Sequence, residues 1–239
     1  MAPLRTVVTY ILTALYILII GAIGLLIAIP LRWKALLYEL GHAGVGLALG
    51  CAGIRYRVVD RSRIPAGRAA IFCANHQSNV DPPVLFQALD RRLHILYKAG
   101  LRKIPVLGRA FEAGGFVAVH RDNREQAFKS IEAGAASVRS GNSFLIFPEG
   151  TRSKTDDLLP FKKGGFVMAI MAQAPIVPVA ISGGRAAMRR GSWIIHPVHV
   201  TVRVGTPIET AGLAFTDRDR VIAEVRQRIE EMLRQGPAF

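Results

Sequence analysis

The stretch Ala69-Ala70-Ile71-Phe72-Cys73-Ala74-Asn75-His76-Gln77-Ser78-Asn79-Val80-Asp81-Pro82-Pro83 decides how this chain is read. Six apolar residues make a strand, a polar loop follows, and Pro82 suits the first position of a helix over Pro82–Leu89. That start makes Asp81 the N-cap, its carboxylate facing free backbone N–H groups. His76 then sits at the carboxyl end of a strand, where the ligand crevices of open α/β sheets lie. On one continuous helix, His76 and Asp81 would stand roughly 140° apart at ~100° per residue, so only a loop lets them meet. In contact, the carboxylate would orient the imidazole and make His76 a general base for an alcohol. Taken alone, the pair reads as a loop histidine beside an ordinary helix cap, and its weight depends on what surrounds it.

The same alternation extends in both directions. Strands are expected at Tyr56–Val59, Ala69–Ala74, Leu93–Tyr97, Phe116–Val119, Phe144–Phe147, Ile176–Ile181 and Val198–Val204. Helices are expected at Pro82–Leu89, Arg124–Ser140, Phe161–Gln173 and Arg218–Leu233, with Asn123, Gly141 and Asp217 as end signals. The expectation is a single α/β domain with a central mixed β-sheet flanked by helices, over residues 51–239. A chain of 239 residues accommodates that domain and a short appendage.

The appendage is residues 1–50. Between Arg5 and Arg32 lie 26 residues without a charge, about 39 Å as a helix against about 30 Å of bilayer hydrocarbon. The run is about twice the usual 7–15-residue core of a signal peptide. Past a turn at Pro30 to Arg32, apolar residues recur at helical spacing over Trp33–Leu49. A membrane-inserted helical hairpin is expected, its second arm on or re-entering the interface, where His42 would be a polar interfacial residue. The mean hydropathy of +0.30 matches that reading. Arg5 alone precedes the apolar run, whereas Arg32, Lys34, Arg55, Arg57, Arg61 and Arg63 follow it, which places the domain on the cytoplasmic side of the inner membrane.

The net charge of +14 calls for an acidic partner. Nucleic acid is disfavoured, because no helix-turn-helix, zinc finger or aromatic RNA-binding motif accompanies the scattered cations. An anionic membrane surface or a phosphorylated substrate fits the apolar anchor better. No metal site is expected, since His196 and His199 would face opposite sides of a strand. Cys51 and Cys73 form neither a disulfide framework nor a zinc spacing. The Gly-x-Ser-x-Gly of serine hydrolases is absent.

Three further blocks carry chemistry. Phe147-Pro148-Glu149-Gly150-Thr151-Arg152-Ser153 follows an apolar strand. Gly150 permits close approach of backbone to ligand and Arg152 offers a fork for phosphate, while Glu149 could orient that arginine or bond a hydroxyl. Gly114-Gly115-Phe116-Val117-Ala118-Val119-His120-Arg121 ends an apolar strand in a cation, which makes Arg121 a candidate for a second phosphate contact. In Val177-Pro178-Val179-Ala180-Ile181 the proline removes a ladder donor and indicates an edge or a bulge, in the core or the wall of an acyl groove.

His76-x4-Asp81, Gly115-Phe116 through Arg121, Phe147 to Arg152, and Val177-Pro178 resemble, in order, the four blocks of the glycerolipid acyltransferase family; Val204-Gly205-Thr206-Pro207-Ile208 is similar to a later segment. The resemblance implies that His76 and Asp81 are the catalytic pair. It further implies that Gly115, Phe116, Arg121, Glu149, Gly150, Thr151 and Arg152 serve the acceptor, lysophosphatidate, with Arg121, Glu149, Gly150 and Arg152 at its phosphate. It implies no cofactor, only acyl-CoA or acyl-carrier protein as co-substrate, for which Lys162, Lys163, Val177 and Pro178 are candidate donor or groove contacts. His120 stands where many members carry an acidic residue. A different lyso-lipid acceptor, such as lyso-ornithine lipid, and a non-catalytic lipid-binding role are the competing readings.

Overall fold

The computed structural model describes residues 2–89, 92–119 and 123–238. The domain begins with β1 (Arg55–Val59), β2 (Ile71–Ala74), α4 (Asp81–Ala88) and β3 (Leu93–Lys98), after helices α1 (Ala2–Tyr16), α2 (Ala22–Ala28) and α3 (Lys34–Ala52). It continues with α5 (Leu107–Ala113), β4 (Val117–Val119), α6 (Arg124–Arg139), β5 (Ser143–Ile146) and α7 (Gly164–Ala172). The last elements are β6 (Ile176–Ser182), α8 (Gly184–Ala187), β7 (His199–Val204) and α9 (Arg218–Arg234). Every expected strand and helix is present, within a few residues at each end. The short α5 and α8 lie in segments whose sequence carries no long apolar period.

Among the described residues seven strands form one mixed sheet in the order β1-β7-β6-β2-β5-β3-β4, parallel except for β6 against β7. Strand pleating explains its two cores. In β2, Phe72 and Ala74 join the cluster under α3 and α4, while Ile71 and Cys73 join the one under α6, α7 and α9. All four residues of β2 are buried, as expected of a central strand covered on both faces. From β2 the chain crosses to β3 through α4 on one face. From β5 it crosses past β2 to β6 through α7 on the other. Neighbouring strands whose chains leave to opposite faces leave a crevice at their carboxyl ends.

Pro178 corrects one alternative. β6 is an interior strand, not an edge, and Pro178 sits instead at a bulge. From Val179↔Val204 to Ile176↔Ile208 the chain advances three residues on β6 and four on the facing strand. The offset removes the need for the ladder donor that proline lacks, and the Pro178 carbonyl still accepts from the Gly205 N–H at 2.8 Å.

The N-terminal elements form the expected hairpin, one helical arm over Ala2–Ala28 and another over Lys34–Ala52, both long and apolar enough to cross a membrane. A π-helical turn, Ile17–Gly21, interrupts the first arm. Leu4, Leu18, Leu26 and Leu31 point outward. The hairpin is also docked on the domain: the Ile195 N–H donates to Thr6 Oγ1 at 2.9 Å, and Gln87 Nε2 to the His42 carbonyl at 2.6 Å. Tyr38 of α3 donates to the Leu93 carbonyl at 3.0 Å and packs against Phe86, His94 and Phe116.

Candidate active site

Backbone pins hold the loop after β2 before any catalytic group is considered. Asn75, wholly buried, donates to the Ile181 carbonyl at 2.9 Å and accepts the Ile181 N–H at 2.8 Å, clamping the loop to β6. The next residue is held on both sides by the loop after β5: the His76 N–H donates to Glu149 Oε1 at 2.7 Å, and the Ser153 N–H donates to the His76 carbonyl at 2.8 Å. Ser78 Oγ donates to the Met188 carbonyl. The imidazole of His76 stacks on Phe147 at 4.2 Å, which leaves it little freedom to turn.

Loop curvature brings His76 Nδ1 to 3.0 Å from Asp81 Oδ2. The same oxygen accepts the N–H groups of Gln77 and Ser78 at 2.7 Å each. Asp81 is therefore the first helical residue rather than the cap, and its carboxylate turns back to loop amides instead of meeting the helix's own. The physical reason is that three converging donors outcompete a cap position one residue away. With Nδ1 carrying its proton and donating it to Asp81 Oδ2, Nε2 is the nitrogen able to accept a proton.

His76 lines a cavity of about 460 Å³ together with Val119, Gly150, Thr151, Arg152 and Lys162. Gly150 has φ +68°, a left-handed conformation that favours glycine, and the Lys162 stem lies over it, its Cε 2.7 Å from where a Cβ would stand. The amino end of α7, at Gly164 and Gly165, opens onto the same cavity. Helix N–H groups, Arg152 and Lys162 thus make a pocket that favours anions next to the histidine.

Several expected contacts are placed elsewhere. Glu149 faces inward, 2% exposed, with Oε1 on the His76 N–H and Oε2 on the Leu159 N–H at 2.9 Å. Burial pushes its pKa up, and these two backbone bonds partly oppose the shift. It ties two loops together and orients His76; it does not orient Arg152. Gly115 and Phe116 stand at the amino end of β4, roughly 10 Å of strand away from Val119. Phe116 packs there on Tyr38, His94 and Phe111. In a parallel array amino ends lie opposite the crevice, which is why these two do not reach it. Val177 and Pro178 are buried in β6 and line no part of this cavity. Lys163 is exposed and pairs with Asp219 at 3.3 Å. Arg121 and His120 lie outside the described residues; β4 delivers Val119 to the pocket wall.

Gly184 is a site residue the sequence reading missed. A Cβ on it would lie 2.2 Å from Asp81 Oδ1, so the carboxylate needs glycine there. The signal was available, because Gly183-Gly184 follows an apolar strand just as the other two loops do.

The acyltransferase family matches over residues 55–182, which contain β1 through β6 and both motif loops. The chain belongs to the acyltransferase family. It is 34% identical over 166 residues to the human 1-acyl-sn-glycerol-3-phosphate acyltransferase beta, covering 69% of this chain and 60% of that protein's own length. A Pseudomonas aeruginosa 1-acyl-sn-glycerol-3-phosphate acyltransferase is 28% identical over 95% of this chain and 88% of its own. The crystal structure of the 1-acyl-sn-glycerophosphate acyltransferase PlsC from Thermotoga maritima shares the fold, with a TM-score of 0.83 at 24% identity over 97% of this chain and 95% of that one. The acyltransferase domain and the hairpin are thus both part of a known architecture.

Proposed function

We propose that this chain is a 1-acyl-sn-glycerol-3-phosphate O-acyltransferase, moving a fatty acyl group from an acyl-CoA or acyl-carrier-protein thioester to the sn-2 hydroxyl of lysophosphatidate. The observation that carries the reading is His76 Nδ1 at 3.0 Å from Asp81 Oδ2, on the wall of a pocket that also holds Arg152 and Lys162. His76 Nε2 takes the hydroxyl proton and the oxygen attacks the thioester carbonyl. The tetrahedral intermediate then breaks its C–S bond, because a thiolate, whose conjugate acid has a pKa near ~8.5, leaves far more readily than an alkoxide. The imidazolium returns its proton to the thiolate. Arg152, Lys162 and the amino end of α7 hold the acceptor phosphate. The apolar hairpin seats the domain on the cytoplasmic face of the inner membrane, where lyso-lipid and thioester meet. The names of the human and Pseudomonas relatives support this assignment.

The test is thiol release from palmitoyl-CoA by the full chain in detergent, with and without lysophosphatidate. Release that requires the acceptor, yields phosphatidate, and falls by about 10²–10⁴ in His76→Ala is expected. Release indifferent to acceptor means a thioesterase. No turnover with CoA, carrier-protein or other lyso-lipid substrates returns the protein to lipid binding alone.

A further inference from the structure

Beyond acyl transfer, we propose that the chain holds one intact anionic phospholipid of the surrounding membrane in a second cavity, between the hairpin turn and residues 102–109. This cavity of about 780 Å³ shares no lining residue with the catalytic pocket. Its walls are apolar, with Leu26, Ile29 and Ile104 prominent, and three cations line it: Arg102, Lys103 and Arg109. Among the described residues no acidic side chain lines it. Glu112 forms an ion pair with Arg102. Lys103 and Arg109 make no ion pair among the described residues, so two positive charges are unbalanced beside an apolar slot.

That combination matches one occupant. A phosphate headgroup would meet Lys103 and Arg109 while an acyl chain runs between Leu26, Ile29 and Ile104. The walls continue into a band that only lipid would cover: Leu26 is 77% exposed, Leu31 65% and Trp33 53%. A soluble anion would have no use for these walls, and an apolar partner would have none for the cations.

Local geometry sets the cavity's shape. Val106, one of its lining residues, has φ +62°, an outlier for a β-branched side chain. Its Cγ1 lies 3.2 Å from where a Cβ on Gly21 would be, beside the π-helical turn Ile17–Gly21. A strained residue and a π turn thus meet at the junction of hairpin and domain. A lipid held there would fix the depth and tilt of the domain at the membrane surface.

The test titrates dioleoylphosphatidylglycerol into the full chain in detergent micelles and counts bound lipid by native mass spectrometry. The parent is expected to retain one such lipid in preference to phosphatidylcholine. Lys103→Gln with Arg109→Gln should weaken that binding about 25-fold, at roughly fivefold per cation, whereas Lys129→Gln with Arg139→Gln should leave it unchanged. Leu26→Trp, which fills the slot without altering charge, should also expel the lipid. Equal retention of both lipids, an unaltered affinity in both cavity variants, or displacement by glycerol 3-phosphate overturns the proposal. His76→Ala, inactive in acyl transfer, should bind the lipid as the parent does, so either reading can fail without the other.

Discussion

Replacing Gly184 by alanine tests whether the position of the Asp81 carboxylate matters to the proposed chemistry. The new Cβ would stand 2.2 Å from Asp81 Oδ1, and real Cβ contacts begin near 3.0 Å, so the two must part by about 0.8 Å or more. Movement of the glycine is opposed on its own side, since a Cβ on Gly183 would already lie 2.5 Å from the His199 carbonyl, and Gly184 itself is buried. Among the described residues Oδ1 has no hydrogen-bond partner to resist the push. The carboxylate therefore pivots, and Oδ2 leaves the donors it holds at 2.7, 2.7 and 3.0 Å. A misplacement near 1 Å costs about 10²-fold in rate, equivalent to about 2.7 kcal/mol in the barrier. In the thiol-release assay kcat should fall by that factor with KM little changed, because Gly184 lines no part of the pocket. In an Asp81→Ala background the same substitution should cost almost nothing further, since the group it displaces is gone. Parent-like kcat for Gly184→Ala, or a full additional loss in the Asp81→Ala background, would refute the reasoning.

Two further outcomes follow from the buried polar groups. Glu149→Gln presents an amide NH2 to one of two backbone donors, His76 or Leu159, and leaves it unsatisfied. The cost should be about 1–3 kcal/mol, read as a fall in Tm of roughly 2–12 °C by thermal unfolding in detergent; an unchanged or raised Tm counts against the loop-tying role. Burial, with the Lys34 charge adding to it, lowers the pKa of His94 from its ordinary 6.5. The folded chain thus binds fewer protons there than the unfolded one, so the stability from a neutral His94 is complete above about 6.5 and is lost as pH falls through the lowered value. Tm of the parent should drop over that acidic range, and His94→Gln should flatten the drop; an identical profile in both proteins removes His94 as the cause.

Local patterning settled a good deal. Ile71–Ala74, Ser143–Ile146 and Ile176–Ser182 announce themselves as strands because each is a short apolar run closed by polar or glycine-containing loops. The uncharged run after Arg5 announces the hairpin for the same reason, since a helix without charges has no face to give to water. The motif loops could be placed at strand ends because element type and order are properties of neighbouring residues.

What the neighbours cannot specify is which strands lie side by side. The bulge at Pro178, the inward turn of Glu149, and the placement of Phe116 at the far end of β4 all depend on the order β6-β2-β5-β3-β4. Gly184 matters only because α8 is brought against Asp81, a residue 103 positions earlier in the chain. The sequence by itself determined the elements and the two apolar N-terminal helices, because these are read from short-range periodicity, and it nominated the histidine–aspartate pair through the ordered motif blocks that resemble a family. Only the tertiary structure decided which oxygen of Asp81 meets His76, which carboxylate serves the loops, and which glycine makes room, because those choices are made by contacts between segments far apart in sequence.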